Sequence, residues 1–373
     1  MGWSWTVATI RGIPIKLHFT LLFFLPIVAF FVTAQFQMAA AFVGVEPRDL
    51  FLPPAVWGAL LAVALFFAIL LHELAHSLVA ISNNVKVHSI TLMMLGGVSR
   101  ILGDIPQPGR EAWMAAAGPL TSFVISIISF GIYFLLRSNP GDVAVAALVF
   151  GWINLVLAVF NLLPAFPMDG GRVLRASLTP VLGRLRATRV AANIGKGMAV
   201  VLGVLGIFVV NPFLVVIAVF VFFGASAEAS GVETRYSLMG VRIGSLMDRR
   251  LGQIPAHSTV GEAADYFLQN NLMASLVIES TDDRPGLLTY QDLKRASSQN
   301  ALQRVGEIAR KKFVMARPEE DVGNILPNLQ GEQGAVIVVV SEQNEPIGVV
   351  TSQDLMRAAL LYRSIAKTRG KQS

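Results

Sequence analysis

The stretch His72-Glu73-Leu74-Ala75-His76 closes an apolar run with no polar residue from Gly58 to Leu71. On a helix, residues four apart share one face, so both imidazoles can reach a single ion. Glu73 then stands beside any water held on that ion. This HExxH order is the pattern in which two histidines bind zinc and the glutamate acts as general base. The same five residues also arise by chance on surface helices. Here the motif lies roughly 10 Å inside the end of an apolar helix, taking about 1.5 Å per residue. Unpartnered ionisable groups at that depth are costly, so metal binding explains them better than chance does.

A catalytic zinc takes three protein ligands and leaves one position for water. The chain has no cysteine, so the third ligand must be His, Asp or Glu. His18 and His88 each stand alone near a membrane boundary, where a hydrogen-bonding histidine is the commoner reading. Asp169 lies in Asn161-Leu-Leu-Pro-Ala-Phe-Pro-Met-Asp169-Gly-Gly-Arg172. Pro164 and Pro167 stop a continuing helix, and Gly170-Gly171 is expected to permit a sharp turn back toward the histidines. Irregular backbone at this depth is tolerated where it is buried in protein or lines a wet cavity. An ordinary turn aspartate would look the same, and spacing alone leaves both readings open.

The elements that must hold these residues are membrane helices. Hydrophobic residues make up 54% of the 373-residue chain and charged residues 14%, against about 45–50% and 25% for soluble domains. The excess lies before about residue 230, and a soluble domain follows. Spans of about 20 apolar residues are expected at Leu17–Ala34, Val56–Ile81, Ala112–Leu136 and Val143–Leu163. The run Ile194–Ala227 is broken at Asn211-Pro212 into two more, giving about six. A cleaved leader is the other reading of the first span, but its apolar run is longer than a leader needs.

Basic residues set the orientation. Arg11, Lys16, Lys86, Arg100, Arg110 and the cluster from Arg172 to Lys196 fall on one side, with only Arg48 and Arg137 opposite. The positive-inside rule places both termini, the active-site side and the soluble domain in the cytoplasm of a multi-pass cell-membrane protein. The net charge of +6 is therefore an orientation signal, and no nucleic-acid partner is expected.

HELAH in an early span combined with NLLPAFPMDGGR near a later one resembles the site-2 protease family of intramembrane metalloproteases. Gly12-Ile-Pro-Ile-Lys-Leu-His-Phe-Thr20, Gly96-Gly97-Val98 and Ala117-Gly118-Pro119-Leu120 extend the likeness over most of residues 10–230. The resemblance implies His72, His76 and Asp169 as ligands of one zinc ion and Glu73 as catalytic acid and base. It further implies Asn161 as a donor to substrate backbone, although helix–helix hydrogen bonding explains that residue equally well. The expected substrate is a membrane-tethered protein cut in or near its transmembrane segment. The segment His88–Leu102 is expected to form a hairpin that adds an extended substrate as a strand, a plain loop being the other reading.

From Val241 the chain repeats itself. Gly286-Leu-Leu-Thr-Tyr-Gln-Asp-Leu-Lys-Arg-Ala296 returns as Gly348-Val-Val-Thr-Ser-Gln-Asp-Leu-Met-Arg-Ala358. A strand-like run precedes each copy, at Ala274–Glu279 and Ala335–Val340, which suits an α/β unit of about 60 residues. The repeat resembles a tandem pair of cystathionine-beta-synthase (CBS) domains. That likeness implies adenine-nucleotide contacts at Thr289, Asp292, Thr351 and Asp354, and the short linker to the last span makes modulation of the protease by such a ligand an expectation. Thr-x-x-Asp is also a good helix start, so the same residues fit a purely structural role.

The expected fold is an all-α polytopic membrane domain of about six transmembrane helices plus a cytosolic α/β tandem CBS pair. The expected divisions are 1–231 for the membrane domain, 232–241 for a linker, 242–300 and 301–362 for the two CBS domains, and 363–373 for a basic tail. Besides its substrate and the bilayer, a second copy of the chain is an allowed partner. The competing classes are a CBS-regulated transporter or channel, with His and Asp on an ion path, and a membrane protein that binds clients without cutting them.

Overall fold

The computed structural model describes residues 4–94, 96–102, 107–278, 285–298, 300–311, 313–329 and 336–369. The described chain divides into two compact units, Met1–Val232 and Glu233–Ser373. Within the expected basic tail, residues 370–373 lie outside the described part, as do Glu279 and Ala335 at the ends of the two strand-like runs.

The first unit opens with two strands, β1 (Ser4–Ile10) and β2 (Ile13–His18), and the helix α1 (Phe19–Phe42). Helix α2 (Pro54–Ser82) follows, then strands β3 (Lys86–Met93) and β4 (Gly96–Leu102). Helices α3 (Pro108–Leu136), α4 (Asp142–Leu162), α5 (Asp169–Leu182), α6 (Arg184–Phe208) and α7 (Pro212–Ser237) complete it. Six of these, all but α5, have 21 to 29 residues and are apolar enough to cross a membrane. Their large outward side chains, among them Phe23, Phe30, Phe134 and Phe223, are exposed, as suits surfaces whose solvent is lipid.

The break expected at Asn211-Pro212 is there. Asn211 Oδ1 accepts from the backbone N–H of Phe213 and of Leu214 and so caps α7. Close helix contacts rest on missing side chains. A Cβ on Gly58 would lie 2.7 Å from the Ala29 carbonyl oxygen, so α1 and α2 meet there backbone to side chain. On the edge far from the HExxH motif, Asp142 accepts from Phe51 N–H, Leu52 N–H and Trp57 Nε1–H at 2.7–2.9 Å. That one carboxylate ties the start of α4 to the loop before α2.

The sheet is an addition to what the sequence led us to expect. Residues before the first span pair as a hairpin, and the four strands run in the order β1-β2-β3-β4. Strands β2 and β3 are parallel, and β3 and β4 antiparallel. The expected hairpin at His88–Leu102 exists, but its first strand is interior: Thr91 faces Lys16 on one side and Val98 on the other. Among the described residues, β1 and β4 are the edges.

The second unit contains β5 (Leu251–Pro255), α8 (Val260–Gln269), β6 (Ala274–Ile278), β7 (Gly286–Thr289), α9 (Tyr290–Ser297) and α10 (Val305–Ile308). It continues through β8 (Val314–Ala316), α11 (Val322–Leu329), β9 (Val336–Val340), β10 (Pro346–Thr351) and α12 (Ser352–Arg369). Two three-stranded sheets result, β5-β6-β7 and β8-β9-β10, each with one parallel and one antiparallel pairing. The segment leading into each copy bonds to the other copy's last strand. Asp248 exchanges two backbone hydrogen bonds with Val349, and Arg310 two with Leu287. The two sheets share a core of Ala274, Leu276, Leu287, Val338, Val340 and Val349, so the copies form one folded body.

Candidate metal centre

Helix α2 presents His72 and His76 one turn apart, both buried. Each ring is held by a second contact at its other nitrogen. His76 Nδ1 lies 2.7 Å from the Met114 carbonyl oxygen on α3, and His72 Nδ1 lies 3.0 Å from Ser122 Oγ. A carbonyl oxygen only accepts, so His76 Nδ1 carries the proton and its Nε2 bears a lone pair. Partners of this kind orient ligand histidines and set their tautomer.

Asp169 arrives from the far end of α4. Residues Leu163 to Met168 run without helix, and Ala165, Phe166 and Met168 are buried. Phe166 N–H donates to the Ala191 carbonyl on α6, and Pro167 lies where a Cβ on Gly224 of α7 would sit. Asp169 is then the first residue of α5, where the helix dipole favours a carboxylate.

Gly170 and Gly171 do not make the expected turn. Both lie in the first turn of α5. A Cβ on either would strike backbone atoms, of Leu162 and Leu163 for Gly170 and of Ala165 and Phe166 for Gly171. They are glycine because backbone must approach backbone there, which is the reason for glycine that the sequence pattern conceals.

His72 Nε2, His76 Nε2 and Asp169 Oδ2 are mutually 3.2 Å apart. These three residues form the one group of metal-ligating side chains found among the described residues. With both Nε2 atoms unprotonated, three lone-pair atoms at this distance repel, and a cation among them would relieve that repulsion. Helix α3 leaves room for one: a Cβ on Gly118 would collide with Nε2 of both histidines. Glycine inside a helix costs up to about 1 kcal/mol relative to alanine, and the space it leaves here is at the ligand atoms. By size, charge and donor set the three residues fit zinc.

Glu73 lies next to this point and is fixed by β4. Ser99 Oγ donates to Glu73 Oε2 at 2.6 Å, and Ser77 Oγ donates to Ser99 Oγ at 3.1 Å. A Cβ on Gly97 would fall 3.1 Å from Glu73 Cδ, so the strand crosses directly against the glutamate. A cavity of about 520 Å³ opens here, lined by His72, Glu73, His76, Asn161, Asp169 and Arg172 among others. Met94, Gly96, Gly97, Val98 and Ser99 form the β4 side of its wall.

The other sequence candidates fall elsewhere. His18 caps α1, its Nδ1 accepting from Thr20 N–H, and His88 lies in β3; neither belongs to the cluster. Asn161 lines the cavity while its Nδ2 donates to the Leu157 carbonyl of its own helix. In the second unit, Thr289 and Asp292 form a capping box at α9, and Thr351 Oγ1 donates to Asp354 Oδ2 in the same way at α12. Arg310 also grips Asp292 through two nitrogens at 2.7–3.1 Å. Thr289 and Thr351 meet across a cleft of about 30 Å³. Ser99, Ser122 and the Met114 carbonyl were not legible from sequence, since nothing local marks them as contacts of a distant motif.

Residues 60–147 and 141–205 match the model of peptidase family M50, and residues 243–299 and 305–361 match the CBS domain. A zinc metalloprotease of Methanocaldococcus jannaschii is 30% identical over 362 residues, 96% of each chain. A candidate zinc metalloprotease of Mycobacterium tuberculosis, Rip3, is 32% identical over 81% of this chain and 80% of its own. The solved site-2 protease of Methanocaldococcus jannaschii is 36% identical over 61% of this chain and 95% of its own, with a TM-score of 0.44. The class is thus a multi-pass membrane zinc metalloprotease. The chain belongs to peptidase family M50, the site-2 proteases, and carries a tandem pair of CBS domains.

Gly118→Ala is expected to weaken zinc binding by about 10- to 100-fold or more while leaving the helix folded. Gly131→Ala, on the same helix with open space at its Cβ, should bind zinc as the parent does. Zinc content by elemental analysis after dialysis checks both.

Proposed function

We propose that His72, His76 and Asp169 hold one zinc ion and that the chain hydrolyses peptide bonds in or near transmembrane segments of membrane-tethered proteins. The meeting of these three ligand atoms beside Glu73 carries the reading. Zinc bound there would polarise the scissile carbonyl and acidify a water. Glu73, oriented by Ser99, would act as the base toward the attacking water and carry its proton to the leaving amine. Asn161, on the cavity wall, is placed to donate to substrate backbone.

A substrate helix must open before its backbone can be cut. The strand β4, last in its sheet among the described residues, forms one wall of the cavity and is the place where an extended segment would add as a strand. The basic loops favour a cytoplasmic active-site face and cytoplasmic CBS domains. Helix α7, the last membrane span, runs on past the boundary at residue 232 into the second unit, which supports modulation of cleavage by a ligand at the CBS pair. An adenine nucleotide bound near Thr289, Asp292, Thr351 and Asp354 is the ligand we propose. Those side chains now serve as helix caps, so binding there must exchange cap bonds for ligand bonds. The regulatory effect requires the ligand to favour one arrangement of the protein over another.

Glu73→Gln should retain zinc and lower cleavage of a tethered model substrate by about 10²- to 10⁴-fold. Unchanged cleavage would remove Glu73 from the chemistry, and zinc without product in the parent would favour client binding alone. Val98→Pro, which takes one N–H donor from β4, is expected to slow cleavage about 10-fold or more with zinc intact. Loss of zinc along with activity would instead mean that the sheet had collapsed. Saturating ATP is expected to change the cleavage rate of the purified protein, and a rate independent of ATP would count against nucleotide control.

A further inference from the structure

Two arginines lie one helical turn apart on α5 and have opposite surroundings. Arg175 is buried and fully engaged: its guanidinium pairs with Glu111 of α3 and, at 3.4 Å, with Glu228 of α7. Arg172 is half-buried and lines the cavity that holds His72, Glu73, His76 and Asp169. Asp169, Glu73, Glu111 and Glu228 act on it through space. No hydrogen bond or ion pair closes on its guanidinium among the described residues, in contrast to Arg175. A half-buried guanidinium that faces carboxylates only through space keeps its N–H donors available to a group entering the cavity. Arg175 accounts for the structural pairing on this helix, so Arg172 is left to serve the cavity.

The geometry points to Arg172 as the residue that takes the charge developed on the scissile carbonyl oxygen and then retains the new carboxylate of the product. This inference rests on the protease reading above. In hydrolysis the water oxygen bonds to the carbonyl carbon, the carbon–nitrogen bond breaks, and the water's protons end on the amine and the solvent. The carbonyl oxygen gains negative charge along the way and finishes as one oxygen of a carboxylate. An intact peptide bond carries no net charge, so a fixed cation favours the later species over the earlier one. Guanidinium is suited to this because it meets two carboxylate oxygens with two parallel N–H groups. Of the ionisable groups named on the cavity wall, Arg172 is the one that is always cationic. Neither Glu73 nor Asp169 can substitute for it, since each carries the wrong charge.

The test uses the full-length protein in detergent with zinc bound, comparing the parent with Arg172→Gln and Arg172→Lys. The probe is a fluorescent apolar hexapeptide with a free C-terminal carboxylate, set against the same peptide ending in an amide. We expect the parent to bind the acid about 10-fold or more tightly than the amide. Arg172→Gln should reduce that preference to less than about twofold and lower kcat by about 10²-fold, with KM for intact substrate little changed. Arg172→Lys keeps the charge without the fork and should fall between the two. An acid preference that survives in Arg172→Gln overturns the inference, as does an unchanged kcat in that variant. Loss of zinc from both variants would assign Arg172 a structural role and also overturn it. A parent that prefers the acid but cuts no substrate would sink the protease reading and leave the carboxylate site standing.

Discussion

On the zinc-site reading proposed above, three ligand atoms and a glutamate have to be brought together within helices apolar enough to cross a membrane. Every polar group at that depth needs a fixed partner, and the architecture of the first unit follows from that need. His72 and His76 are oriented by Ser122 and the Met114 carbonyl, both on α3. Glu73 is oriented by Ser99 on β4, which is supported in turn by Ser77 on α2. Asp169 is delivered by a short irregular segment whose Phe166 backbone is seated on α6 and whose Pro167 lies against α7. Each reactive group thus has a second element holding it.

Space is the other half of the design. Glycines stand where elements come closest: Gly97 against Glu73, Gly118 against both imidazoles, and Gly170 and Gly171 against the backbone that precedes Asp169. In each place the missing side chain sets how near one element can come to the next. Glycine inside a helix or strand is intrinsically unfavourable, so these positions give up local stability for approach distance. The buried pairing of Arg175 with Glu111 locks α5 to α3 close to its first turn, which keeps Asp169 registered against the histidines.

Much of this was readable from sequence, for identifiable reasons. The HELAH motif announces itself because polar groups interrupt a long apolar run, and period 3.6 places both histidines on one face. The six spans follow from length and composition, and the break at Asn211-Pro212 from the chemistry of proline. The CBS pair is legible because the same eleven-residue pattern occurs twice. The four-stranded sheet was half hidden: β1 and β2 precede the first span and carry no strong alternation. Helix α5 was hidden too, because Asp-Gly-Gly reads as a turn until the backbone it packs against is known. The contacts of Ser99 and Ser122 join distant segments, which no local pattern encodes.

The central claim is the ligand set, and X-ray absorption at the zinc edge tests it most directly. The account predicts two imidazole nitrogens at about 2.0–2.1 Å with an oxygen shell at about 2.0–2.2 Å and no sulfur. Changing Asp169→Asn should alter the oxygen shell and leave both imidazoles in place. Three or more imidazoles, or a spectrum indifferent to the change at Asp169, would contradict the account.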